Sequence, residues 1–189
     1  MILVIKVAKS KSDKIKVDKG WLGIVLILSF IISFIMALIS ELIIPNSFIT
    51  VSIFLVLFFI FIGVIFDMIG LAVATAEEKS FHSMATKNVK GAKTAINLIN
   101  NKDKVASVLN DVVGDICGVV SGACGLAISL KLSSLMGFDK VLTTVIITSI
   151  ISALTIGGKA FGKSIAINNC NSIVFSFSKF INIFTKNKK

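Results

Sequence analysis

Arginine is absent from this 189-residue chain, so the net charge of +10 is carried by lysine alone. Without the planar, bidentate guanidinium on which phosphate and base-edge recognition normally relies, that charge argues against nucleic-acid binding. Acidic residues are missing after Asp139, and histidine occurs once, at His82. One imidazole with no Cys or His partner in sequence gives no transition-metal site. Cys117, Cys124 and Cys170 show no CxxC or metal-ligand spacing, and free thiols in apolar runs behave as small apolar residues. No nucleophile stands with an evident base, so the chain is not expected to be an enzyme. Charged residues make up only 16% of the chain, which excludes an ordinary soluble domain when 55% is hydrophobic and mean hydropathy is +0.95.

What is present comes in long apolar blocks. A bilayer core about 30 Å thick needs roughly 20 apolar residues in a helix, and Trp21 to Ser40 supplies such a run without a charge. Phe48 to Phe66 nearly supplies a second; Ile116 to Leu130 and Val141 to Ile156 are shorter runs that small residues extend to spanning length. The expected fold is therefore all-α, a polytopic membrane protein with four transmembrane helices and amphipathic membrane-surface helices.

Lysines report the topology. Six lie in residues 1 to 20 and six from Lys79 to Lys104, whereas the connection Glu41 to Ser47 has none. Under the positive-inside rule both termini and the central segment are cytoplasmic and the membrane is the cell membrane. Lys131 and Lys140 mark a short outer turn. The first run is too long for a signal-peptide h-region and lacks a convincing cleavage site, so it is expected to be an uncleaved anchor.

Three regions follow: a lysine-rich arm over residues 1–20 with a short interfacial turn at Ile2 to Val7, a transmembrane domain over 21–166, and an amphipathic tail over 167–189. The first helix should stop at Pro45, the single proline, with Asn46 or Ser47 capping the second. That second helix, from about Phe48 to Ala76, exceeds the membrane's need and either tilts or projects inward. Across residues 79–104, Phe81, Ala85, Val89, Ala92, Ile96 and Ile99 recur at helical spacing, with Lys87, Lys90 and Lys93 mostly off that stripe, which predicts helices lying on the inner membrane surface. The third span should run from near Val105 to the turn at Met136–Asp139 and the fourth from Lys140 to about Ile165. In the tail, Ile173, Phe177, Ile181 and Phe184 repeat the amphipathic pattern.

Residues Gly157 to Ala166 contain G-x-x-x-x-G-K-S, the spelling of a phosphate-binding loop. Such a loop needs a strand before it and a carboxylate elsewhere for magnesium. Here an apolar span precedes it, no acid follows it, and too few residues remain for a nucleotide-binding sheet. No nucleotide is expected.

Carboxylates inside spans are costly and mark functional sites by default. Asp67 lies in the inner part of the second span, and Asp111 and Asp115 stand one helical turn apart on the third, with Asn110 and Ser121 adding neutral oxygens. Hard oxygen ligands of this kind suit Mg²⁺, which keeps several waters and uses one or two protein carboxylates. The competing reading places Asp111 in water at the interface and pairs Asp67 with Lys159 or Lys163. Gly114, Gly118 and Gly122 at four-residue spacing give the third span a face for close helix or subunit contact.

The order of elements, together with two stretches, resembles the transmembrane domain of the CNNM/CorB/CorC family, linked to Mg²⁺ and Co²⁺ transport. Gly91 to Lys104 is similar to the family's G-A-x-x-A-x-x-L-x-x-N-P-D-R segment, and Gly158 to Ala166 to its G-E-I-x-P-K-x-x-A segment. The matching order covers about residues 50 to 185. Lys159 stands where the family has glutamate, Gly162 where it has proline, and Asp67, Ile69 and Gly70 where Ser-x-Ser-Glu is expected, while Asn110 matches a family asparagine. The resemblance implies a homodimer, and the chain shows no counterpart of the family's paired nucleotide-binding domains, so no ATP-linked control through its own chain is expected.

Two functions remain open at this point. One is a protein that binds or moves a divalent cation through Asp67, Asn110, Asp111 and Asp115, with no resident cofactor. The other is a non-transporting structural or regulatory membrane subunit with a degenerate site. Lys159 favours the second, because a fixed cation repels Mg²⁺.

Overall fold

The computed structural model describes residues 19–43 and 47–186. Their regular elements are all helical: α1 (Lys19–Ile43), α2 (Ile49–Thr75), α3 (Lys79–Thr86), α4 (Ala92–Asn100), α5 (Lys102–Ser107), a π-helical segment (Val108–Gly114), α6 (Asp115–Met136), α7 (Lys140–Asn168) and α8 (Cys170–Lys186). Four continuous helical stretches are long and apolar enough to cross a membrane: Gly20–Ser40, Ile49–Thr75, Lys102–Met136 and Lys140–Asn168. The interfacial turn expected at Ile2 to Val7, Pro45 and Asn46 lie outside the described residues.

The helix ends follow local chemistry. Phe48, extended, holds the N-cap position of α2 and makes no side-chain cap hydrogen bond. The Ser47 carbonyl accepts a hydrogen bond from the Lys131 ammonium of α6, which ties the α1–α2 connection to the end of α6. Gly137, at φ 70°, ends α6 in the left-handed conformation that glycine adopts without penalty. Asp139 then caps α7 by accepting from the Leu142 N–H at 2.9 Å. At the opposite end, the Lys104 ammonium lies 5.2 Å from the Trp21 ring centroid, placing the starts of α1 and α5 on one side of the bundle.

Packing divides into two cores. Within the spans, Val56, Phe59 and Ile60 of α2 meet Val112, Ile116, Val120, Cys124 and Ile128 of the third span and Ile151 of α7, with Val25, Leu28, Ile32 and Met36 of α1 on the flank. At the end of the bundle shared with α3, α4 and α8, Ala72, Val73 and Ala76 meet Phe81, Ala95, Ile99, Ala166 and Val174. Phe81 is fully buried and anchors α3. The expected surface stripe is therefore turned largely toward protein: Phe81, Ala92 and Ile99 are buried, Ala85 and Ile96 are half-buried, and Val89 is exposed. In α8, Val174 and Ser178 are buried, whereas Phe180 and Ile183 stay exposed.

The outside of the spans is apolar. Ile24, Ile27 and Phe30 on α1, Phe54, Phe58 and Phe61 on α2, and Val141, Val145 and Ile146 on α7 are all exposed. So continuous an apolar surface suits lipid rather than water.

Candidate cation site

The half of the α2–third-span seam nearer α3 is built from glycine and polar residues. Gly63, Asp67 and Gly70 follow one another at four- and three-residue steps, the spacing that shares one helix face. Opposite lie Asn110, Gly114 and Cys117. A Cβ added at Gly63 would sit 3.0 Å from the Cys117 Cβ and 3.2 Å from the Gly114 carbonyl; one added at Gly114 would lie 3.6 Å from the Asp67 Cβ. The backbones approach closely at Gly63 and Gly114 because these two residues bring no side chain of their own to the contact.

Asn110 occupies the notch that Gly70 leaves. A Cβ at Gly70 would fall 1.9 Å from Asn110 Oδ1 and 2.8 Å from its Cγ. Among the described residues nothing donates a hydrogen bond to that buried Oδ1. An orphan acceptor of this kind is costly in a low-dielectric interior, and its position invites a partner from outside the chain. Asp67 is buried to 8% exposure on the same face of α2, and among the described residues no lysine forms an ion pair with it.

Asn110 and Asp111 sit in the π-helical segment Val108–Gly114. The i→i+5 turn is wider than an α-turn and is frequent at functional sites. Nothing in the composition of these residues distinguishes them from ordinary α-helix, so the sequence gives no signal for it.

The four sequence-predicted residues separate into two pairs. Asp67 and Asn110 converge on the buried seam. Asp111 is exposed and accepts a hydrogen bond from Ser107 Oγ at 2.9 Å. Asp115 is also exposed and pairs at 2.7 Å with Lys159, whose side chain is 21% exposed. The lysine's partner is thus Asp115 rather than Asp67, because Asp67 faces inward between the helices. Ser121 spends its hydroxyl on its own helix, donating to the Gly118 carbonyl at 2.8 Å. Among the described residues no group of three or more His, Cys, Asp or Glu side chains could cage a metal.

The G-x-x-x-x-G-K-S stretch is uninterrupted helix within α7. Gly158 and Gly162 face α2, where added Cβ atoms would lie 2.9 and 3.2 Å from the Val64 side chain. Their role in the fold is to receive that valine. Lys159, between them in sequence, reaches across to α6.

Together these features define a multi-pass membrane protein with a polar notch between two spans. A family model described as CNNM, the cyclin M transmembrane N-terminal domain, matches residues 53–186, and the chain belongs to that family. No curated protein and no solved structure matches it.

Proposed function

We propose that the chain binds a divalent cation of the Mg²⁺ class as cargo in the notch between α2 and the π-helical segment. The observation that carries this reading is the buried, partnerless Asn110 Oδ1 seated against Gly70 on the Asp67 face of α2. One carboxylate and one amide oxygen suit an ion that retains several waters. Asp111 and Asp115, on the outside of the third span, would serve the approach to the notch rather than the notch itself. The Asp115–Lys159 pair offsets the lysine charge that otherwise opposes cation entry.

Family membership supports divalent-cation transport as the wider role, and the lysine distribution supports a cell-membrane protein with both termini inside. A second copy of the chain fits as partner: Gly122 has nothing within 4 Å of an added Cβ, which leaves that part of the glycine row open for a close contact. Reconstituted into liposomes, the protein should give saturable Mg²⁺ or Co²⁺ flux that Asp67→Asn abolishes and Asp111→Asn only weakens. Absence of both saturable flux and metal binding would instead establish the non-transporting subunit favoured by Lys159.

A further inference from the structure

Between α2, α6 and α7 the packing leaves a groove of about 260 Å³. Ile53 and Leu57 of α2 and Ile150 and Leu154 of α7 form its rims and are 46–55% exposed, while Ile128 and Ile151 form its floor and are buried. The floor is keyed in place: Ile151 Cδ1 takes the space that a Cβ at Gly125 would fill. The lining lies wholly inside three of the spanning stretches, and every described residue in it is Ile, Leu or Val.

That lining narrows the occupant. Water leaves a purely aliphatic cavity dry. A spanning helix of another chain packs closely through small residues that let two backbones approach, and the groove offers none; Gly122, the open glycine of α6, is not among its lining residues. A hydrocarbon chain needs no such approach, because it fits between branched side chains by rotating its own bonds. Polarity then fixes how it lies. Ile53 and Leu132 of the groove stand one helical turn in from the ends of α2 and α6 that meet the α1–α2 and α6–α7 connections, and the groove runs about 10 Å along α7 from Ile147 to Leu154. Leu132 also lines a larger cavity at those helix ends, of about 580 Å³, together with Ser47, Thr50, Lys131 and Met136. The hydrogen bond from the Lys131 ammonium to the Ser47 carbonyl joins the two sides of that cavity. An apolar slot that shares a wall residue with a polar-lined cavity at the helix ends matches one amphiphile laid along the spans. We infer that the groove holds an acyl chain of a bound phospholipid whose headgroup lies at the larger cavity.

Native mass spectrometry of the detergent-solubilised full chain, titrated with phosphatidylcholine or with glycerophosphocholine, tests this. The wild type should retain phosphatidylcholine through detergent exchange, and glycerophosphocholine, the same headgroup without chains, should not bind. Ile150→Trp, which fills the groove from its rim, should cut the retained fraction by roughly tenfold, the effect of displacing about two methylene groups. Leu154→Trp, one turn further along α7, should do the same, so that a folding failure in one variant leaves the other to decide. Phe54→Trp, at an exposed position of α2 outside the groove, should leave retention unchanged. A wild type that retains no lipid, undiminished retention in the groove variants, an equal loss with Phe54→Trp, or glycerophosphocholine binding as tightly as the intact lipid would each overturn the inference. Loss of a dimer mass in the groove variants with lipid retention unchanged would overturn it too, and would assign the groove to a second copy of the chain.

Discussion

The two halves of the α2–third-span seam are held together by different chemistry. Toward the α1–α2 connection, Val56, Phe59 and Ile60 interlock with Val120, Cys124 and Ile128, so the helices are spaced by side chains. Toward α3, Gly63, Gly70 and Gly114 let backbone meet backbone, and Asp67 and Asn110 are enclosed there. An apolar contact can yield by rotating a methyl group. A notch that encloses an acceptor with no partner gains no cohesion from that atom. The half spaced by side chains therefore supplies cohesion, and the glycine half encloses polar atoms at the expense of cohesion.

Changing one polar atom should separate these roles most sharply. Asp67→Asn is expected to lower divalent-cation affinity by about tenfold or more, since even changes outside the ligand shell cost a metal site that much; isothermal titration in detergent would read it. Asn110→Ala should also weaken the cation, while thermal unfolding stays level or improves, because the substitution deletes an unsatisfied acceptor. A parallel loss of stability would mean that Asn110 serves packing instead.

A glycine pair at contacts on two faces of the third span comes next. Gly70→Ala drives a methyl group into Asn110, where the short amide is trapped, whereas Gly125→Ala, on the side facing α7, meets the far end of the flexible Ile151 side chain, 2.2 Å from an added Cβ. Both gain the same helix propensity, so the difference isolates packing. Gly70→Ala should be less stable than Gly125→Ala by about 1–3 kcal/mol in detergent unfolding. Equal melting would mean that the enclosed Asn110 amide yields as readily as the end of Ile151.

Lys159→Gln should change stability by less than about 1 kcal/mol, because its partner Asp115 is largely exposed. The same variant should strengthen cation binding by removing a fixed positive charge. Smallest of all, Gly122→Ala meets nothing within 4 Å and should shift monomer stability by no more than about 0.5 kcal/mol. A marked drop in dimer content with that variant would locate the subunit contact on α6.

The four spans were legible because long uncharged apolar runs, the later two extended by small residues, suit a bilayer far better than water, and their ends fell within a few residues of expectation. The partner of Lys159 was not legible. It lies 44 residues away in α6, and periodicity alone does not say which of several carboxylates turns outward. The glycine row on the third span was legible only at its first member. Four-residue steps advance about 40° beyond a full turn, so Gly114 faces α2, Gly118 comes within 3.9 Å of Thr155 on α7, and Gly122 faces open space. Asp67 and Asn110 were identifiable as expensive residues, but their convergence depends on Gly70, whose importance lies in what it omits.

The π-helical turn has a consequence for how this membrane domain can tolerate change in chain length. Deleting one residue from an ordinary span rotates everything beyond it by about 100° and turns its buried face toward lipid. Between Val108 and Gly114 the chain already carries the widened i→i+5 winding, and a deletion there relaxes to α-helix instead of breaking one. Among the described residues this is the single stretch where a residue can be lost while α5 and α6 stay joined as a continuous helix, and it is the stretch that carries Asn110.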